Sequence, residues 1–419
     1  MEYMGVFGIL LSLGLLMYLA YRGISVIILA PVLAMLAVVL AGEGSQMMGI
    51  YTQVFMSKMG NFAVKYFPIF LLGAIFGKLM EDSGSAKVIA HRIIKALGIK
   101  HASLAIVLAC GLLTYGGVSA FVVAFAVYPL AAALFREANL PKRFIPATIA
   151  LGAFTFTMTC LPGTAQIHNI IPVSYFGTDM YAAPFIGVGA GLAMMAGGLW
   201  WINRRITTHQ SDGYGEGHSH EPEAMTGQKL PHLMLALLPI IVVVVSNFVL
   251  QKYVIPSWDT AYLAEAKFGA ISVSKLNSVW SMIIALLAAN LAVIAVHWQR
   301  FTNINQTMTK GALGSMLPTF NTGSEVGYGA TIASLAAFVL VKDAVINISP
   351  GNPLISEVVA VNVLAGITGS ASGGLTIALE ALGETYAQLA QQYNINPEWM
   401  HRLASMASGG FDSLPHNGA

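Results

Sequence analysis

Charge is what this sequence lacks. Lys, Arg, Asp and Glu together make up 10% of 419 residues, and the formal net charge is +2. A water-soluble chain carries about a quarter charged residues, so this composition excludes a soluble enzyme and offers nothing to nucleic acid. Cysteine is almost absent too. Cys110 and Cys160 both lie in apolar segments and read as small core residues, not as a disulfide or a metal pair. No Lys or Arg precedes Arg22, so the basic start of a signal peptide is missing and the run 4–21 is expected to remain as a first span. Enzyme signatures fail as well. Gly369-Ser370-Ala371-Ser372-Gly373 places Ala where a nucleophile elbow needs Ser, and Gly73-Ala74-Ile75-Phe76-Gly77-Lys78 is too short for a phosphate loop. There is no HExxH. His209, His218 and His220, with Glu216, Glu221 and Glu223, form a solvated polar stretch and not a metal site. No catalytic residue, metal or cofactor is expected.

What the chain has is hydrophobicity: 56% apolar residues and a mean hydropathy of +0.70. Apolar runs at 4–21, 24–41, 62–80, 148–172 and 181–202 read as spans of a first half. Those at 232–250, 278–298, 315–341 and 401–419 read as spans of a second. Residues 203–231 form the one polar linker between them. An all-α integral membrane protein follows.

Chain-breaking patterns occur in pairs, 253 or 254 residues apart. Leu161-Pro162-Gly163-Thr164 matches Leu414-Pro415-His416-Asn417, and Phe67-Pro68 matches Phe320-Asn321. The small-residue tip Thr114-Tyr115-Gly116-Gly117-Val118-Ser119 matches Thr368-Gly369-Ser370-Ala371-Ser372-Gly373. Matches at nearly one offset indicate an internal duplication. Backbone freed by Pro and Gly at membrane depth survives only where protein or a water-lined cavity satisfies it. Paired breaks in corresponding places of two halves point to the substrate site of a secondary transporter.

Segments 102–135 and 357–385 do not fit as simple spans. The first is too short for two spans and too long for one. Lys87, Arg92, Lys95 and Lys100 precede it, and Arg136, Lys142 and Arg143 follow it. A single crossing would put one basic cluster outside, against the positive-inside rule, so a re-entrant hairpin is expected, and its counterpart likewise. Each full half then has five spans, an odd number, and the halves insert in opposite senses. The resulting architecture is an inverted-repeat transporter with two re-entrant hairpins and two broken helices. Its domains are a first repeat over 1–202, a cytoplasmic linker over 203–231, and a second repeat over 232–419. With the N-terminus outside, Arg22, the seven basic residues just named, Arg204, Arg205, Lys229, Arg300 and Lys310 fall inside. Lys58, Lys252, Lys267, Lys275, Lys342 and Arg402 fall outside. The span 181–202 should recur near 434–455, so the second repeat is expected to stop at its break, before its last span.

The first break, Thr155 to Asn169, gathers hydroxyls, an amide and an imidazole in an otherwise apolar segment. Amide N–H groups at the start of a half-helix favour an anion. Thr159, Gly163, Thr164, Gln166, His168 and Asn169 are therefore candidate substrate ligands. So are Thr114, Gly116, Gly117 and Ser119 of the first tip, and Thr368, Ser370 and Ser372 of the second. Asn321, Thr322 and Ser324 in the eighth span and His416 and Asn417 at the second break complete the set. The competing readings are a Pro kink capped by its own threonines and close helix packing through small residues. Glu325 is the most conspicuous intramembrane acid and the leading proton carrier, with Asp412 and His168 as alternatives. Glu81 and Asp82 read as ion-pair or capping residues.

At these motifs the chain resembles the gluconate permease (GntP) family of the ion transporter superfamily. The likeness rests on the stretch Pro68 to Gly84, the Thr114 tip, the Leu161-Pro162-Gly163-Thr164 break and the 412–419 end, and covers all but the linker. The resemblance implies proton-coupled uptake of a small hydroxy-monocarboxylate across a bacterial inner membrane by a homodimer, each protomer pairing a scaffold with a moving transport domain. Where the gluconate branch has a Phe-Glu tip and a Pro-Pro-His-Pro-Gly break, this chain has Tyr115-Gly116-Gly117 and Cys160-Leu161-Pro162-Gly163-Thr164. It is more similar to the 3-hydroxybutyrate permeases. Na+-coupled organic-anion transport and an anion channel are the alternatives.

Overall fold

The computed structural model describes residues 2–215, 230–349, 351–368 and 371–410, and these residues are helical with no strand among them. In chain order the main helices are α1 (Glu2–Tyr21), α2 (Val26–Leu40), α3 (Met56–Asp82), α4 (Ser85–Leu97) and α5 (Ala102–Tyr115). Next come α6 (Ala120–Glu137), α7 (Ile145–Ala153), α8 (Pro184–Thr208), α9 (Leu233–Val249) and α10 (Val273–His297). The last are α11 (Ile304–Ser334), α12 (Phe338–Ile346), α13 (Pro353–Thr368), α14 (Ala371–Gln392) and α15 (Pro397–Ser408). Among the described residues five helices are long and apolar enough to cross a bilayer, or up to seven if each bent pair counts as one span. Many large apolar side chains face outward, Val64 at 82%, Phe125 at 77% and Phe185 at 92% exposed. Such a surface is stable only against lipid. Arg204 and Arg205 lie over the Trp200 and Trp201 rings at 5.6 and 4.9 Å, the amphipathic arrangement of a membrane interface.

Several boundaries differ from the sequence expectation. The run 148–172 is not one span: α7 ends at Ala153, and the chain continues through single turns at Phe156–Thr159, Ile167–Asn169 and Val173–Phe176. The run 315–341 begins earlier, at Ile304, and bends by 97° into α12. The amphipathic helix α4, with Ala86, Ile89 and Ala90 buried and Arg92 and Lys95 exposed, meets α5 at 107°. Arg402, counted from the sequence as an external loop charge, is wholly buried in α15. Glu81 and Asp82 do form ion pairs, with Lys78 at 3.2 and 3.0 Å. Both cysteines are buried, and among the described residues neither forms a disulfide.

The chain divides into two compact units, one of Met1–Phe70, Ile167–Ala183 and Met316–Ala419, the other of Leu71–Gln166 and Pro184–Ser315. Each draws on both sequence halves. The first unit packs α1, α2 and the short Ile167–Phe176 turns with α13, α14 and α15. Its core runs from Ile9, Leu13 and Leu16 through Leu33 and Ala37 to Leu375, Leu379, Leu382 and Met400. The second unit packs α4 to α7 with α8, α9 and α10. Close backbone approach needs small residues: a Cβ at Gly152 would lie 2.6 Å from Cys110 Cβ and from the Val107 carbonyl, so α5 and α7 touch through glycine. In the first unit, a Cβ on Gly374 would overlap the Ala365 backbone, which joins α13 to α14 the same way.

α5 and α6 form the hairpin expected over 102–135, with its turn at Gly116-Gly117. α13 and α14 form the second, longer at both ends than 357–385. If the first hairpin is re-entrant, its two outer ends open on one side of the membrane. Single cysteines at Lys100 and Glu137, both exposed, in a background without Cys110 and Cys160, are expected to react with an impermeant maleimide from the same side. Labelling from opposite sides would exclude a re-entrant hairpin.

Candidate functional site

The first tip and the first break come together within the second unit. Gln166 Nε2 donates to the Thr114 carbonyl at 3.0 Å, and the Tyr115 hydroxyl donates to the Pro162 carbonyl at 3.0 Å. Gly117 (φ +88°) lies so close to Ala165 that a Cβ would stand 3.2 Å from the alanine methyl, and Gly163 (φ +74°) makes the turn after Pro162. Both glycines occupy the left-handed region where a side chain is strained. Gly116 is covered by Ile240 of α9, whose Cγ2 would be 2.6 Å from an added Cβ. Thr114, Thr159 and Thr164 are fully buried, and the Thr114 hydroxyl has no hydrogen-bond partner among the described residues. Ser119 precedes the first turn of α6, whose leading amide N–H groups have no partner within the helix. Hydroxyls, a helix start and close backbone are what a small anion needs.

Threonines also do local work here. Thr155, Thr157 and Thr159 donate to the carbonyls of Leu151, Gly152 and Thr155 at 2.6, 2.6 and 3.2 Å, satisfying carbonyls released where α7 ends. His168 and Asn169 belong to the other compact unit. Asn169 is buried and fully engaged: its Nδ2 donates to the Met180 carbonyl at 2.8 Å and its Oδ1 accepts from Arg402 Nη1 at 2.9 Å. His168 is buried beside it in sequence, and its Nδ1 has no partner among the described residues.

The second cluster lies in the first unit. Thr322, Ser324 and Glu325 of α11 are buried, and Asn321 Oδ1 accepts from the Ser25 hydroxyl at 3.4 Å. Glu325 sets its carboxyl against the α carbon of Gly373, where no side chain would fit. Glu325 thus stands at the start of α14, next to the second tip. The carbonyl of Ser372 accepts from Thr376 at 2.6 Å. Ser370, Asp412, His416 and Asn417, and the side chain of Thr368, lie outside the described residues.

Sequence reasoning passed over two buried ionisable groups in this unit. Arg402 Nε and Nη2 donate to the Ala182 carbonyl at 3.0 and 2.8 Å, Nη2 also reaches the Met180 carbonyl at 3.3 Å, and Nη1 bonds Asn169. The guanidinium thereby pins the Ile167–Ala183 segment to α15. Glu357 in α13 is fully buried, although a single acid in an apolar run was the only signal for it.

The chain is similar to known permeases and transporters. The sequence pattern described as GntP family permease matches residues 4–322. The transporter YxjC of Bacillus subtilis (strain 168) is 45% identical over 427 residues, covering 98% of this chain and 90% of its own. The high-affinity gluconate transporter of Escherichia coli (strain K12) is 32% identical over 137 residues, 32% of this chain and 28% of that one. The low-affinity gluconate transporter of the same strain is 29% identical over 202 residues, 46% and 42% of the two chains.

Proposed function

The chain belongs to the GntP family of permeases and is a multi-pass membrane transport protein, not an enzyme; from that premise we propose that it is a secondary active transporter taking up a small hydroxy-monocarboxylate with protons. The observation that carries this reading is the meeting of Thr114, Gln166 and Gly117 with the break at Pro162-Gly163, a cluster of polar backbone and hydroxyl groups without a fixed charge. A carboxylate bound there meets N–H and O–H donors and a helix start. Gluconate and 3-hydroxybutyrate both fit that description: one carboxylate, with hydroxyls for the remaining polar groups. The gluconate transporters among the relatives support the substrate class. A bacterial inner-membrane location and a homodimer go with the same reading.

In this scheme Glu325 links proton to anion. Ionised, its carboxyl repels an anion approaching the Asn321–Ser324 interruption beside it; protonated, it does not. The protein in proteoliposomes is expected to exchange labelled for unlabelled gluconate or 3-hydroxybutyrate, with trans-stimulation, and to accumulate the label when the outside is acidic. One pH unit across the bilayer corresponds to about tenfold accumulation for one proton per anion. Glu325→Gln is expected to keep exchange and lose acid-driven accumulation. Uptake driven by a Na+ gradient instead would replace the proton, and flux without trans-stimulation would indicate a channel.

A further inference from the structure

We propose that Glu357 is a proton-binding site on which the seating of the second hairpin depends: the α13–α14 hairpin packs as described only with this carboxyl protonated. The side chain is 0% exposed, and neither carboxyl oxygen has a hydrogen-bond partner among the described residues. It sits one turn into α13 and shares a helix face with the buried Ala360 and Val361. An isolated carboxylate without water or partner is so unfavourable that such a group takes up a proton instead.

The elements around it carry titratable groups, but none bonds the carboxyl. From α14 comes Tyr386, fully buried, whose hydroxyl is 3.0 Å from the Ser356 hydroxyl. From α15 come His401, whose Nδ1 is 2.6 Å from the Thr178 hydroxyl, and Arg402, bonded to Asn169, Met180 and Ala182. α12 carries Lys342 and the exposed Asp343, and the titratable groups among the described side chains of α1 are the exposed tyrosines Tyr3, Tyr18 and Tyr21. None of these is hydrogen-bonded to Glu357.

The duplication supplies a second observation. At the 254-residue offset that relates the two tips, Glu357 aligns with Ser103 in α5, which is buried as well. The first hairpin therefore seats a small neutral side chain where the second seats an acid. One hairpin is permanently neutral at this position, and the other becomes so only on binding a proton. By the rise of an α-helix, Glu357 lies about 16 Å from the tip end of α13, too far to touch an anion held at that tip. Its proton acts through packing, whereas that of Glu325 acts on the substrate.

Hydrogen–deuterium exchange of α13 peptides, corrected for the intrinsic pH dependence of the amide chemistry, tests this directly. In the wild-type protein, protection of α13 is expected to fall as pH rises, by about tenfold per unit while the seated carboxyl holds its proton and that of the opened hairpin has lost it. Glu357→Gln and Glu357→Leu are expected to remove that dependence, and Glu325→Gln to keep it. Infrared spectra should show a protonated-carboxyl band that Glu357→Gln and Glu357→Leu lack. Either variant that folds suffices. A wild-type protection without pH dependence, or one unchanged in a folded Glu357 variant, would overturn the proposal. Because the transport consequence rests on proton coupling, Glu357→Gln should also keep gluconate exchange and lose acid-driven accumulation. If the wild type itself accumulates nothing under a pH gradient, proton coupling fails while the exchange and infrared results still decide the role of Glu357.

Discussion

Arg402→Met is expected to destabilise the protein severely, to the edge of folding. The guanidinium is wholly buried and supplies donors to the carbonyls of Ala182 and Met180 and to Asn169 Oδ1. Methionine fills much of the same volume but donates nothing, so three buried acceptors lose a charged donor. Each such loss costs about 1–3 kcal/mol, and together they approach the whole stability of a typical domain. Lysine should rescue little, because a single ammonium cannot reproduce a planar fork reaching three separate oxygens. The measurement is thermal unfolding followed by monodispersity in detergent, with Arg92→Met on the exposed face of α4 as the control. Equal stability of Arg402→Met and Arg92→Met would show that the buried network holds nothing together. Asn169→Ala, which removes only one of those acceptors, should fall between the two.

Gly117→Val should abolish transport while leaving the protein folded. Gly117 has φ +88°, which costs a branched residue about 1–2 kcal/mol or more, and its Cβ would stand 3.2 Å from the Ala165 methyl. Relief requires the tip to withdraw from the break, and with it the bond from Gln166 to the Thr114 carbonyl. A displacement of that kind separates the groups proposed to surround the carboxylate, and losing even two neutral hydrogen bonds weakens binding by roughly tenfold or more. Gly73→Ala is the matched control, because a methyl there meets nothing within 4 Å; it should transport as the wild type does. Substrate exchange by Gly117→Val at the control rate would remove the tip from the site.

Much of this molecule was legible because membrane proteins obey a harsh local rule. Backbone polar groups in lipid must be satisfied within the segment, so each Pro or Gly that interrupts an apolar run announces a special place. The breaks at Pro162 and the tips at Gly116-Gly117 and 369–374 were visible on that ground, the two hairpins from segment length and flanking basic residues, and the all-helical class from hydropathy. The bends were not: the Leu335-Ala336-Ala337 joint between α11 and α12 is as apolar as the helices it links, and the angle of the short amphipathic α4 to α5 is set by packing. Nor were the roles of Asn169 and Arg402, which meet across 233 residues of chain.

The sequence by itself determined that the chain lives in lipid, that it is helical, that it carries paired interruptions, and which residue types stand at them. Each of these depends on neighbours along the chain: hydropathy over a span, the missing N–H of proline, the freedom of glycine. Only the tertiary structure decided how the chain is divided, because each compact unit is assembled from segments of both sequence halves. It also decided which polar residues face one another. Gln166 turns to the first tip while Asn169, three residues on, turns to Arg402, and an acid at position 357 that reads as the edge of a hairpin is sealed inside one. Burial and pairing are properties of the space around a side chain, and that space is made by helices far away in the sequence.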